Sequence, residues 1–196
     1  MSVPSRVEAL SLLRGLDPSE KLFNHCRVVG EVAAYLANAI AARGVAVDAP
    51  LVEVSAVLHD LDKALAPDDP LKTLAHGAAG AEWLRERGFG ELSEAVAAHP
   101  VLVLGEAASY DAWFDATSFE SRIVAYADKR AVQDVVSLDA RFERWYRHHP
   151  EGQMLPVAQD RARLLELEIC GAAGIAPEDV ARLPWVDGAL SALRAA

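Results

Sequence analysis

Ala56-Val57-Leu58-His59-Asp60-Leu61-Asp62-Lys63 sets a His-Asp doublet inside an apolar stretch with helical spacing. Successive residues on an α-helix diverge by about 100°, yet His59 and Asp60 can both reach an ion lying over the ridge between them. Lys63 follows His59 by four positions, so on a continuing helix it stands on the same face, where a bound phosphate can be met. Taken singly, the doublet is an ordinary hydrogen-bonded pair. Its meaning depends on what the rest of the chain places around it.

Upstream, Val7, Leu10, Leu13 and Leu16 mark a short packing helix over about Pro4 to Leu16. Asp17-Pro18-Ser19-Glu20 reads as the next helix start, with Asp17 as N-cap and Pro18 at the first position. Val28, Val29, Val32, Leu36 and Ile40 then form one stripe ending near Gly44, and His25 lies on it, facing inward. Downstream of the doublet, Ala66-Pro67-Asp68-Asp69-Pro70 breaks the helix. A helix from about Thr73 to Arg87 carries His76 near its first turn, and a shorter one from Glu91 carries His99 on an apolar face before Pro100.

Val101 to Thr117 has no clean period and reads as a packed connection or a lid, with Tyr110, Trp113 and Phe114 as packing residues. Thr117 to Glu120 has capping-box spacing and opens a helix on which Asp128 falls midway between Val124 and Val132. A carboxylate on that stripe is costly to bury without a metal or cation beside it. Leu138 to His148 reads as a helix with Arg141, Arg144 and Arg147 on one face, a row that is either solvated or in contact with phosphate. His148-His149 reads as its frayed end, neither residue counting as a ligand. Pro156 to Cys170 reads as a helix broken at Gly171 and Gly174, followed by short helices over Ile175 to Leu183 and Pro184 to Leu193.

The 196 residues suit one domain, 52% are hydrophobic, and alanine dominates while alternating β-branched runs are scarce, which favours helices. A formal net charge of −10 argues against a nucleic-acid partner. The two cysteines, Cys26 and Cys170, make no disulfide framework and fit a reducing cytoplasm. No apolar run reaches membrane-spanning length, and the start lacks a signal-peptide pattern. The expectation is a cytoplasmic protein with no membrane association.

His25, His59-Asp60, His76, His99 and Asp128 come from five separate helical segments and all point inward. Each has an ordinary alternative as a satisfied core or end residue. Together they place four imidazoles and two carboxylates in one apolar interior, more than mutual hydrogen bonding can satisfy. Mixed nitrogen and oxygen donors without a thiolate cluster suit one or two divalent transition metals, Fe or Mn first, with Co, Ni or Zn also compatible. Asp60 can bridge two ions, with His25, His59 and Asp128 completing one site and His76 and His99 the other. Two ions roughly 3.5–4 Å apart can clamp a phosphoryl group for in-line attack.

From His25, through His59-Asp60, to Asp128 within Tyr126-Ala127-Asp128-Lys129, the chain resembles the HD-domain metal-dependent phosphohydrolases. The resemblance spans about Phe23 to Arg147. His76, in His-Gly-Ala-Ala-Gly-Ala, and His99-Pro100 are similar to the extra ligands of the binuclear branch. That branch includes the bacterial hydrolases of symmetrical diadenosine tetraphosphate, whose His-Asp-x-x-Lys pattern is matched by His59, Asp60 and Lys63. The resemblance implies an all-α HD-domain bundle, here one domain over residues 1–196 with a core of about 20–150 and a helical extension over 151–196. It also implies hydrolysis of phosphate esters or anhydrides of a small molecule, usually a nucleotide, with Asp60 and Lys63 in catalytic roles. Lys63 stands where the 5′-nucleotidase and guanosine-tetraphosphate branches carry a Glu-Asp pair, and no Gly-Tyr-Pro signature follows, which disfavours those substrates and cyclic-di-GMP.

Two other readings stand beside this one. The same ligand set can hold two irons that activate dioxygen, making an oxygenase. Alternatively, the protein is a nucleotide-binding regulatory domain without turnover. Lys63 favours phosphate, although it can also be a solvated residue paired with Asp60 or Asp62. The helices after Pro150 pad the core, close the pocket or form a homodimer contact.

Overall fold

Ser5 and Glu8 close a reciprocal capping box, each side chain meeting the other's backbone N–H, and this starts α1 (Arg6–Arg14). This is a computed structural model, and it describes residues 3–149 and 152–181. Among them are ten α-helices and no strand, as the helical spacing predicts. The short helix expected over Pro184 to Leu193 lies outside the described residues.

α2 (Glu20–Ala42) is capped by the Ser19 side chain rather than by Asp17. Asp17 instead adopts a left-handed backbone with φ of 52°, which turns the chain sharply out of α1, so the helix starts two residues later than the Asp-Pro pair implies. The apolar stripe of α2, from Phe23 through Val29 and Leu36 to Ile40, is buried along its whole length. α3 (Ala49–Leu58) begins on an Asp48 cap and buries Val52, Val54, Ser55, Ala56, Val57 and Leu58. Consecutive buried positions cover the whole girth of this helix, so it runs through the middle of the molecule. It lies so close to α2 that a Cβ on Gly30 would sit 2.7 Å from Val57 Cγ2.

α3 stops at Leu58, earlier than expected. His59 is its C-cap, Asp60 precedes a 3-10 turn over Leu61–Ala64, and the doublet therefore sits on a change of helical pitch. The helix expected from Thr73 is also shorter. A 3-10 turn over Pro70–Thr73 leads to α4 (Ala78–Glu86), with His76 in the turn ahead of it. The reason lies at Gly77, whose φ of +83° no helix tolerates and whose missing Cβ would meet Val96 O at 2.9 Å.

A 3-10 turn over Gly90–Leu92 opens into α5 (Ser93–Ala98), which His99 caps. The stretch expected as a connection or lid forms two short helices, α6 (Val101–Glu106) and α7 (Tyr110–Asp115). Trp113 is buried, and Tyr110 and Phe114 pack on the core, so the aromatic residues serve packing. α8 (Phe119–Lys129) is capped by Ser118, not Thr117, and Glu120 accepts the backbone N–H of Asp48 instead of closing a local box. Glu94 accepts both the Ser118 N–H (2.6 Å) and the Ser121 hydroxyl (3.1 Å), which ties the start of α8 to α5.

α9 (Leu138–His148) follows the expected bounds. α10 (Leu155–Ala173) runs straight through Gly171 and ends at Gly174, whose φ is +69°. Gly171 breaks nothing, because a single glycine costs a helix about 1 kcal/mol and tertiary packing outweighs that. Ala158, Ala162, Leu165, Ile169 and Cys170 of α10 are buried in the same core as α2 and α8, so this helix pads the core. Arg130 holds it there, donating to Tyr126 Oη, Glu166 Oε1 (2.8 Å) and the carbonyl of Pro177 (3.1 Å). A 3-10 turn over Pro177–Ala181 takes the place of the short helix expected from Ile175. Among the described residues no helix is long and apolar enough to cross a membrane.

The buried side chains form two apolar clusters. One joins α2, α8 and α10; the other joins α1, α4 and the start of α5. α3 contributes to both, and its C-terminal end delivers His59 and Asp60 among them.

Candidate metal centre

Each candidate imidazole is oriented by a bond on its outer nitrogen. His25 Nδ1 lies 2.9 Å from Val132 O, His59 Nδ1 2.7 Å from Ala56 O, and His99 Nδ1 2.6 Å from Val96 O. Carbonyl oxygens only accept, so in all three rings Nδ1 carries a proton and Nε2 is turned inward, where it can hold a further proton or a metal. The helix ends explain two of these bonds. At the C-cap positions of α3 and α5, His59 and His99 fold back onto carbonyls of the last turn that have lost their helical partner. His76 Nδ1 is held by Asp62 Oδ2 at 2.9 Å, and the same oxygen accepts the Gly77 N–H at 3.1 Å.

All four Nε2 atoms point at Asp60. Its Oδ2 is 3.5 Å from both His25 Nε2 and His59 Nε2. Its Oδ1 is 3.3 Å from His76 Nε2 and 3.4 Å from His99 Nε2. Asp128 Oδ1 completes the first side, 3.3 Å from His25 Nε2 and 3.7 Å from His59 Nε2. The six expected residues are therefore gathered around Asp60, with His59 close to both His25 and His99. His76 departs in one respect: its side chain is 37% exposed, so it forms the rim of the cluster rather than its floor.

This donor set fits divalent metal. His25 and His59 present Nε2 to Nε2 at 3.2 Å, as do His76 and His99, so each pair needs either a shared proton or a metal cation between its nitrogens. Asp60 Oδ1 is buried, and the donors that face it are the His76 and His99 imidazoles at 3.3 and 3.4 Å. An outer nitrogen tied to an acceptor and an inner nitrogen turned toward a shared carboxylate is the arrangement that orients metal-ligating histidines.

The charges tell the same story. Burial disfavours imidazolium at His59, but the Asp60 carboxylate and bonds to Asp128 and Asp60 outweigh it and raise its pKa to about 9. His76 also rises to about 9: burial opposes, and the bonds to Asp60 and Asp62 prevail. His99 moves the other way, to about 4, through burial and the nearby His59 charge. Asp60 and Asp128 stay ionised well below the usual carboxylate range despite burial, because of His59 and Arg141 respectively. The pocket thus favours positive charge at His59 and His76 while leaving His99 neutral.

Lys129 supports the floor from α8. It is fully buried, and its ammonium donates to His99 O (2.8 Å) and Ala125 O (3.0 Å), which braces the end of α5 against Asp128's helix. Burial pulls its pKa down to about 8.

Lys63 stands on the 3-10 turn that follows α3, not on a continuing helix. Its Nζ bonds Asp60 Oδ2 at 2.7 Å while half of its side chain remains exposed. It lines a cavity of about 450 Å³ that opens onto the cluster. The other walls come from the start of α2 and from α9, including Lys21, Arg141, Arg144, Trp145, His148 and His149.

Several of these residues escape the sequence reading. Asp62 is buried and holds His76, a role foreshadowed only by its place two residues after Asp60. Arg141 supplies the cation expected beside Asp128, at 3.2 Å from Oδ1. His148 and His149 lie on the cavity wall, and the helix end they form is held by the His149 N–H donating to Trp145 O at 2.8 Å rather than frayed.

Comparison with known proteins agrees with this geometry. An uncharacterized protein of the archaeon Methanocaldococcus jannaschii is 42% identical over 84 residues, covering 43% of this chain and 46% of that relative. The chain thus spans under half the length of the curated relative it matches. No solved structure is a significant match. The HD domain matches residues 22–133, more than half of the chain and the segment that carries all six residues of the cluster, so the protein belongs to the HD domain family.

Proposed function

We propose that this protein is a metal-dependent phosphohydrolase that cleaves a phosphate ester or anhydride bond of a small molecule, a nucleotide being the favoured class. HD domains are generally metal-dependent hydrolases. The observation that carries the reading is the division of Asp60, one oxygen facing His25 and His59 and the other facing His76 and His99. A carboxylate so divided suits a bridge between two ions. Bound there, divalent ions supply Lewis acidity that polarises a phosphoryl group and makes water nucleophilic near neutral pH.

The chain's own residues do the rest. Lys63 carries an exposed ammonium at the edge of the cluster, where it can meet a phosphoryl oxygen and offset the charge that grows as the bond breaks. Its bond to Asp60 keeps it beside that oxygen and raises its pKa despite burial, so it stays charged at neutral pH. Asp62 holds the ring of His76, and Lys129 holds the carbonyl of His99. The buried floor keeps His59 and His99 from bulk water.

The test is phosphate release over a nucleotide panel, with Mn or Fe supplied and Asp60→Ala as control. Release that disappears in Asp60→Ala, together with loss of metal, supports the reading. Substrate-dependent oxygen uptake without phosphate release would replace it with an oxygenase.

A further inference from the structure

The row Arg141, Arg144 and Arg147 lies beyond residue 133, outside the matched HD segment, and of the three only Arg141 has a role so far, as the cation beside Asp128. The structure divides the row. Arg147 turns away, its Nε donating to Glu143 O at 3.3 Å, and takes no part in the cavity wall. Arg141 and Arg144 do line the cavity. Facing them from the other side are Lys21, at the start of α2, and Lys63.

These four cations stand in two tiers. The inner pair is engaged with the cluster, Lys63 on Asp60 and Arg141 on Asp128. Arg141 is further fixed by its guanidinium lying 4.2 Å from the Trp145 ring centre. The outer pair, Lys21 and Arg144, has no ion-pair partner among the described residues. Asp60 is the one carboxylate among the lining residues, so the wall carries four cations against one anion on a chain whose net charge is −10. Two of the four, Lys21 and Arg144, are left without a counter-charge among the described residues, and uncompensated cations in a cleft focus an anionic ligand there.

We propose that Lys21 and Arg144 form a subsite for a second phosphate of the substrate, so that the cavity selects molecules carrying a diphosphate or longer chain over phosphate monoesters. The inference rests on the phosphohydrolase reading. One phosphoryl group meets the cluster and Lys63; the next, one bridging oxygen away, meets the outer pair. The cavity of about 450 Å³ has room for both groups. Arginine is the fitting residue for this position, because its planar fork can take two phosphate oxygens at once.

The experiment is calorimetric binding to the full-length, metal-loaded protein of two non-hydrolysable probes, methylenediphosphonate and methylphosphonate. The double variant Lys21→Gln/Arg144→Gln should weaken methylenediphosphonate by roughly tenfold or more, as expected for lost charge-assisted bonds, and change methylphosphonate less than twofold. Arg147→Gln, on the same helix but off the cavity, should change neither. Equal loss for both probes, no loss, or the same loss in Arg147→Gln would overturn the subsite. Metal content and melting temperature, measured alongside, identify a variant that has simply lost its fold, and the single variants Lys21→Gln and Arg144→Gln then decide. The two readings fail separately. Probe discrimination with no phosphate release from any nucleotide would sink the hydrolase and keep the subsite. Phosphate release without discrimination would sink the subsite alone.

Discussion

Asp62 Oδ2 sits 2.9 Å from His76 Nδ1 and also accepts the N–H of Gly77, so one buried oxygen fixes both the ring and the turn that carries it. Its position two residues after Asp60 means that the same 3-10 turn supplies the shared carboxylate and the support for one of its imidazoles.

On the proposed two-ion reading, Asp62→Ala should weaken selectively the ion on the His76 and His99 side. The loss of an outer-shell carboxylate typically costs 10- to 100-fold in affinity. Elemental analysis should find close to one metal per chain instead of two, with the His25, His59 and Asp128 side still filled. Two full equivalents in the variant would show that His76 needs no such support.

Lys63→Ala should leave metal content intact while lowering kcat/KM by about 10²-fold, the magnitude seen when a group that stabilises transition-state charge is removed. Lys63→Arg should recover only part, because a planar fork replaces a compact ammonium poorly. The comparison is steady-state kinetics with metal content measured in parallel. An unchanged kcat/KM would leave Lys63 as a partner of Asp60 and nothing more.

Metal loading should depend on pH with a definite sign. In the metal-free protein, His59 and His76 have pKa values raised to about 9. Their imidazolium forms stabilise that state fully below about pH 6.5, and the contribution is lost as pH climbs to about 9. A metal must displace those protons, so apparent affinity should rise up to about pH 9, by about tenfold per pH unit for each proton released, and level off above it. Anaerobic Mn titrations from pH 6.5 upward, in buffers of different ionisation enthalpy, read both the slope and the proton count. A flat profile would contradict the prediction.

Phe142 is fully buried on α9, with its ring edge-on to Trp145 at a centroid separation of 4.8 Å. Phe142→Ala should cost about 3–5 kcal/mol and lower the melting temperature by roughly 10 °C. Because α9 bears Arg141 and Arg144, the damage should extend to binding of methylenediphosphonate while the metals remain. A melting temperature within 2 °C of wild type, on the same scale, would show that α9 is held by other contacts.

Local chemistry made much of this protein legible. The stripe of α2 places His25 inward, the His-Asp doublet stands out in an apolar run, and Asp128 interrupts an apolar face of α8. Each signal depends on helical periodicity and on the cost of burying charge, both properties of residues close in the chain. Element ends were less legible. Ser19 rather than Asp17, and Ser118 rather than Thr117, cap their helices, because neighbouring polar residues compete for the same N–H groups and the tertiary setting selects the winner.

The sequence by itself determined a helical chain and singled out the six polar residues that gather at the centre, one of them, His76, at its exposed rim. Only the tertiary structure decided how they meet. The split of Asp60 between two imidazole pairs depends on α3 ending at Leu58 and on four helix ends converging. The second row of charges depends on still longer contacts, since Lys21 and Arg144 stand over 120 residues apart in sequence yet share one cavity wall. No periodicity links such residues. Their juxtaposition follows from how α2 and α9 pack against the common core, and that is a property of the whole fold.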